Sequence, residues 1–134
     1  MTACVFDTDV VIAALDRGDV HHREAAAAVK AMVADDVQLL ISTINYAEAL
    51  VRPAEDEQSM RAAVDAIASI GLRPVPPSAS VARDAARYRG LGISLADGFA
   101  LATARARSAA IASFDARVLR AVRKLDLELP TQFA

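Results

Sequence analysis

Apolar residues run from Ala3 to Phe6, stop at Asp7, and resume as Val10-Val11-Ile12-Ala13-Ala14-Leu15. The first run has the length and composition of a buried strand. The second predicts a helix with Asp9 as its N-cap, since a carboxylate there accepts from the orphan N–H groups of the first turn. Asp16-Arg17-Gly18-Asp19 ends it. The spacing of Ala25, Ala28, Val29 and Met32 predicts a helix over about residues 22–33. An Asp35-Asp36 turn leads to a second apolar strand over residues 37–41. Ser42 and Thr43 close it and cap a helix reaching about residue 51, with Ile44, Ala47, Leu50 and Val51 in one stripe and Pro53 stopping continuation. Residues 55–70 form a long amphipathic helix with Met60, Ala63, Val64 and Ile67 on one side, ended by Gly71.

Residues 73–75 read as a short strand, placed at an edge because Pro74 lacks a ladder N–H. A helix follows from Ser78 to about residue 89, then a loop over residues 90–93. Ser94-Leu95-Ala96-Asp97 has the form of a capping box with Asp in place of Glu, and its helix runs to about residue 107. Residues 109–113 are another apolar strand, Asp115 is placed to N-cap a last helix over Ala116–Lys124, and residues 127–129 read as an edge strand. Alternating strands and helices imply an α/β fold with a mainly parallel sheet between helical layers and right-handed crossovers.

The 134 residues are expected to form one domain, residues 1–134, large enough for a real core. An apolar share of 54% excludes a disordered chain, and with aromatics at 4% and no Trp the core must be aliphatic. The single cysteine, Cys4, lies inside the first apolar run and reads as a buried, inert thiol. Asp7 and Asp9 interrupt an N-terminus that also lacks a basic start, which argues against a signal peptide. No apolar run is long enough to span a membrane, and the expected compartment is the cytosol. A net charge of −2 excludes nucleic-acid binding by overall polyelectrolyte attraction, so any such contact must be local. Arg83, Arg87 and Arg89 make the best local basic patch, although a solvated helix face has the same spacing. Arg outnumbers Lys thirteen to two, which suits phosphate contacts but also reflects a GC-rich genome. The adjacent His21 and His22 read as solvated residues at a helix start.

Four acids have both a structural and a chemical meaning. Asp7 and Asp115 each follow an apolar strand, Glu48 lies on the helix after another, and Asp97 opens a helix that feeds a strand. Alone, Asp7 is a turn residue, Glu48 a rim residue pairing with Arg52 at i,i+4, and Asp97 and Asp115 are caps. In a parallel sheet, however, all four point to the edge where ligands bind. Crowded carboxylates repel unless protonated or neutralised by cations. An oxygen-only site of this kind suits Mg²⁺ or Mn²⁺, which bind phosphates and generate hydroxide for in-line attack.

The ordered set Phe6-Asp7-Thr8-Asp9-Val10-Val11-Ile12, Ser42-Thr43-Ile44-Asn45-Tyr46-Ala47-Glu48-Ala49-Leu50, Leu95-Ala96-Asp97-Gly98-Phe99-Ala100-Leu101-Ala102-Thr103-Ala104 and Ser113-Phe114-Asp115 resembles PIN-domain ribonucleases, and among them VapC-like toxins of toxin–antitoxin pairs. The resemblance spans essentially the whole chain and implies a PIN-like α/β/α sandwich and a metal-dependent endoribonuclease. It further implies that Asp7, Glu48, Asp97 and Asp115 form the catalytic, Mg²⁺-holding quartet, with Mn²⁺ as the other candidate metal. Glu48 is either a ligand or the group that orients the attacking water. RNA is the implied substrate, a small cognate antitoxin the implied partner, and a homodimer the implied assembly. Asp9 departs from the more usual Ser, Ser113 from the commoner Thr, and Gly98 from a helix-favouring Ala, which is expected to loosen its turn.

Two other classes fit parts of the chain. Asp7-Thr8-Asp9-Val10-Val11 also resembles the first motif of haloacid-dehalogenase-type phosphatases, with Asp7 as nucleophile, and residues 39–43 resemble their second. The Lys their third motif usually supplies is missing, since no Lys lies between Lys30 and Lys124. The remaining class is a catalytically inactive domain that only binds a partner; the complete acidic set argues against it.

Overall fold

The computed structural model describes residues 2–133. Strands β1 (Ala3–Phe6), β2 (Gln38–Ser42), β3 (Leu72–Val75) and β4 (Ala110–Ala112) form one sheet in the order β3-β2-β1-β4, with every pairing parallel. Helices α1 (Thr8–Leu15), α2 (His22–Ala34), α3 (Thr43–Ala49), α4 (Glu57–Ser69), α5 (Ala79–Tyr88), α6 (Leu95–Ala106) and α7 (Ala116–Lys124) connect or follow them. The pleat of β1 sends Cys4 and Phe6 to one face, packed with Val10, Val11, Met32 and Ile67, and Val5 to the other, packed with Ala85, Leu101, Val118 and Val122. Both faces of the sheet are therefore covered, as parallel strands require, and the α/β/α layering is the one expected. Burial pushes the Cys4 thiol up to about 12, which keeps it an unreactive core residue.

β3 is an edge strand, with Pro74 opposite Ile41. β4 is the other edge. Residues 127–129 do not form the expected strand; among the described residues they give β4 one bond, Ile111 N–H to the Glu128 carbonyl at 3.0 Å. Asp126 turns the chain with a φ of 54° just before them, and Pro130 has no N–H to extend the pairing.

α3 is shorter than its apolar stripe implied. Ile44 is 37% exposed and Val51 66%, whereas Asn45 and Leu50 face inward. The turn that follows gives way to α4 at Glu57 rather than Glu55, because Asp56 accepts from the Ser59 N–H at 2.8 Å and the Ser59 hydroxyl at 2.7 Å. Gly98 tightens the structure rather than loosening it: a Cβ there would stand 2.8 Å from the Ala85 carbonyl oxygen, so only glycine lets α6 lie this close to α5.

Candidate active site

The site is built where β1 and β4 end. The Asp7 N–H still donates to the Ala112 carbonyl at 2.9 Å, which holds the chain against β4 as it leaves the sheet. Asp7 itself is the N-cap of α1, with extended backbone and its Oδ1 accepting from the Thr8 N–H at 2.9 Å. Its Oδ2 accepts from the Ser113 hydroxyl at 2.8 Å. The side chain is only 2% exposed. Burial, then the negative charges of Asp9 and Asp97, push its carboxyl up to about 8, against the opposing pull of the Ser113 and Thr8 bonds.

Asp9 is therefore not the N-cap that the sequence pattern implied, because α1 begins two residues earlier, at Thr8. It lies in the first turn and reaches across to the loop after β4, where its Oδ2 accepts from the Phe114 N–H at 3.0 Å. Its Oδ1 is buried without a hydrogen-bond partner. Burial raises its pKa, with Asp115 and Asp97 adding to the effect. Asp115 follows on that same loop. Its N–H donates to the Ser113 hydroxyl at 3.1 Å, and its carboxylate caps α7 through the Arg117 N–H at 2.7 Å, as expected.

Asp97 occupies the first turn of α6. Only half of the capping box forms: Ser94 Oγ accepts from the Asp97 N–H at 3.1 Å, while the Asp97 carboxylate makes no return bond among the described residues. Glu48 does not pair with Arg52. Its Oε1 accepts from the Thr8 hydroxyl at 2.6 Å. Thr8 in turn accepts from Asn45 Nδ2 at 3.2 Å, and the same amide donates to the Ala96 carbonyl at 3.1 Å. Asn45 is fully buried, with Oδ1 unpartnered. The starts of α1 and α6 and the middle of α3 are thus joined by one polar network. Thr8, Asn45 and the Ser113 hydroxyl were not singled out from the sequence. A weak signal existed for Asn45, which stands three residues before Glu48 and shares its helix side.

Charge couples Asp7, Asp9, Asp97 and Asp115, and Glu48 joins them through Thr8. No three of these groups stand at metal-holding separation among the described residues, each being engaged by its own N–H or O–H donors or left free. The donor set nevertheless fits a hard divalent cation. It is oxygen-only, one of its acids is almost wholly buried, and a second buried oxygen, Asp9 Oδ1, lacks any donor. The histidines stand at the start of α2, as expected, and both they and the arginines make local contacts. His22 Nδ1 contacts the Ala13 carbonyl at 2.7 Å, and the His21 ring stacks on Phe114. Arg87 pairs with Asp84 at 2.7 Å and Arg89 donates to the Ile93 carbonyl at 2.6 Å, so most of that basic patch is engaged by its own neighbourhood. A larger cavity of about 810 Å³ opens at the amino edge of the sheet, between the ends of α2 and α4, away from these acids.

No curated protein matches the chain. A solved structure of VapC20 from Mycobacterium tuberculosis, described as a sarcin-ricin loop cleaving toxin, is similar with a TM-score of 0.69 and 18% identity, covering 88% of this chain and 94% of that one. VapBC2 from Rickettsia felis, bound to a DNA fragment from its promoter, gives a TM-score of 0.74 at 18% identity, covering 95% and 96%. A toxin–antitoxin complex from Klebsiella pneumoniae gives 0.62 at 26% identity, covering 84% and 86%. The family model of the PIN domain matches residues 4–125, and the chain belongs to the PIN-domain family.

Proposed function

We propose that this protein is a metal-dependent endoribonuclease and the toxin of a toxin–antitoxin pair. The observation that carries the reading is the buried Asp7 at the end of β1, held by the same Ser113 hydroxyl that receives the Asp115 N–H, while Thr8 and Asn45 tie Glu48 and the start of α6, where Asp97 lies, to the same carboxyl edge of the sheet. Membership of the PIN family and likeness to VapC20 and to toxin–antitoxin complexes support it.

Asp7, Asp97 and Asp115 are the proposed ligands of Mg²⁺, with Mn²⁺ as the alternative. When bound, the cation supplies charge neutralisation, Lewis acidity at a phosphate oxygen and a water made acidic enough to attack at neutral pH. Ser113 fixes the direction of the Asp7 carboxylate, and its hydroxyl also receives the Asp115 N–H, so one side chain sets two of the acids. Glu48 is exposed and among the described residues is held by Thr8 alone, a position from which it either completes the ligand set or takes the proton of the attacking water. In-line displacement would leave a 3′-hydroxyl and a 5′-phosphate.

The phosphatase alternative has less support. Asp7 touches no Lys or Arg among the described residues that would balance the charge of an aspartate and a phosphate together. The partner reading is tested by co-expression with the product of the adjacent small reading frame. A co-purifying antitoxin that abolishes RNA cleavage is the expected result, with the free toxin sedimenting as a homodimer. A neighbour that does not bind, or that binds while cleavage continues, would remove the toxin assignment.

A further inference from the structure

We propose that the open face of the His21 ring is a stacking platform for a base of single-stranded RNA beside the acidic site. The proposal rests on the ribonuclease reading. His21 and Phe114 are stacked, their ring centroids 4.2 Å apart and their planes 12° from parallel. Phe133 packs edge-on against Phe114 at 5.5 Å. Phe114 covers one face of the imidazole, yet the His21 side chain is still 46% exposed. The exposed area therefore includes the opposite face, an aromatic surface with no ring upon it among the described residues.

The location links this surface to the acids. Phe114 lies between Ser113, which donates to Asp7, and Asp115, and its own N–H donates to Asp9. A base stacked on His21 would thus extend a stack already anchored in the loop that holds the site. The backbone N–H of His21 donates to Asp19 Oδ1 at 2.8 Å, which fixes the chain at the start of α2, and the stack on Phe114 orients the ring. Arg17 and Arg23 flank it in the chain, are exposed, and form no ion pair among the described residues, which leaves them free for phosphates. Unstacked bases of single-stranded RNA bind His and Phe rings in this way, and the contact is tolerant of sequence because every base has a π-face. A protein of net charge −2 needs such a local, non-ionic contribution to hold RNA.

The test uses the full chain and a single-stranded oligoribonucleotide spanning a mapped cut, with 2-aminopurine at the flanking positions. His21→Ala should raise KM, and the Kd measured with Ca²⁺ in place of Mg²⁺, by roughly five- to a hundredfold, while kcat changes little and the fluorescence quenching of 2-aminopurine is lost. His21→Phe should keep tight binding and quenching. His21→Leu retains an apolar contact with Phe114 without a π-face, and should behave as His21→Ala while melting close to wild type. Unchanged KM and quenching in the Ala and Leu variants would overturn the platform while leaving the nuclease intact. Weak binding by His21→Phe as well would equally overturn it. A wild type that cuts no RNA would remove the ribonuclease reading and the platform together.

Discussion

Replacing Asp7 by Asn should stabilise the metal-free protein, although it removes a buried residue with two hydrogen bonds. The reason lies in the charge. Asp7 is 2% exposed and its carboxyl stands at about 8 rather than the ordinary 3.8, through burial and the neighbouring Asp9 and Asp97. Keeping it in the folded state at about pH 7 therefore costs about 4 kcal/mol relative to the unfolded chain, at about 1.4 kcal/mol for each tenfold. Asn removes that cost. Its carbonyl still accepts from the Thr8 N–H, and its amide faces the Ser113 oxygen, which must turn its own proton elsewhere. Weaker, neutral hydrogen bonding returns about 1–2 kcal/mol of the gain. The net gain is about 2–3 kcal/mol, or roughly 6–10 °C in Tm for a domain of this size. Thermal unfolding of both proteins in EDTA measures it. Mg²⁺ at a hundred times its Kd should raise the wild-type Tm through about 2.7 kcal/mol of binding and leave Asp7→Asn nearly unmoved. An Asp7→Asn protein that melts several degrees below wild type in EDTA would refute the reasoning, as would a wild type indifferent to Mg²⁺.

The same group sets the pH dependence of the metal-free wild type. A carboxyl whose folded pKa is raised contributes stability at low pH that is lost as pH climbs from about 4 to about 8; urea unfolding across this range should show the decline, and Asp7→Asn should flatten it. Asp97→Asn should fold, melt within a few degrees of wild type and lose RNA cleavage, because Ser94 rather than the Asp97 side chain caps α6; retained Mg²⁺-dependent cleavage would return Asp97 to a structural role. Ser94→Ala should cost about 1 kcal/mol of stability, read from chemical denaturation. Gly98→Ala should destabilise by about 1–3 kcal/mol despite the better helix propensity of Ala, since its methyl would meet the Ala85 carbonyl at 2.8 Å; a more stable variant would show that the two helices part freely.

The elements that position the acids were readable because their apolar periods are strong. β1 is an unbroken apolar run and β2 has Leu39-Leu40-Ile41 at its centre, as central parallel strands require, and Pro74 marked an edge. Strand direction then placed Asp7 and Asp115 just past the carboxyl ends of β1 and β4. Four details were not readable. The start of α1 depends on which of two carboxylates finds an N–H, and the choice is made by Phe114, 105 residues away, which takes Asp9. The inward side of α3 carries Asn45, a polar residue that periodicity assigns to solvent, because its partners Thr8 and Ala96 are supplied by other helices. The stack of His21 on Phe114 was hidden for the same reason, because the two rings are distant in sequence. Gly98 differs again, since a close helix approach and a weak helix former share one letter, and only the Ala85 carbonyl distinguishes them.

The most direct measurement is cleavage of total cellular RNA by the purified protein, with Mg²⁺ or with EDTA, followed by mapping of new 5′ ends. Wild type should create discrete 5′-phosphate ends in Mg²⁺ and none in EDTA, while Asp7→Asn and Asp97→Asn, folded by their melting curves, create none in either. New ends that persist in EDTA, or that survive loss of Asp7 and Asp97, would contradict a metal-dependent nuclease centred on these carboxylates.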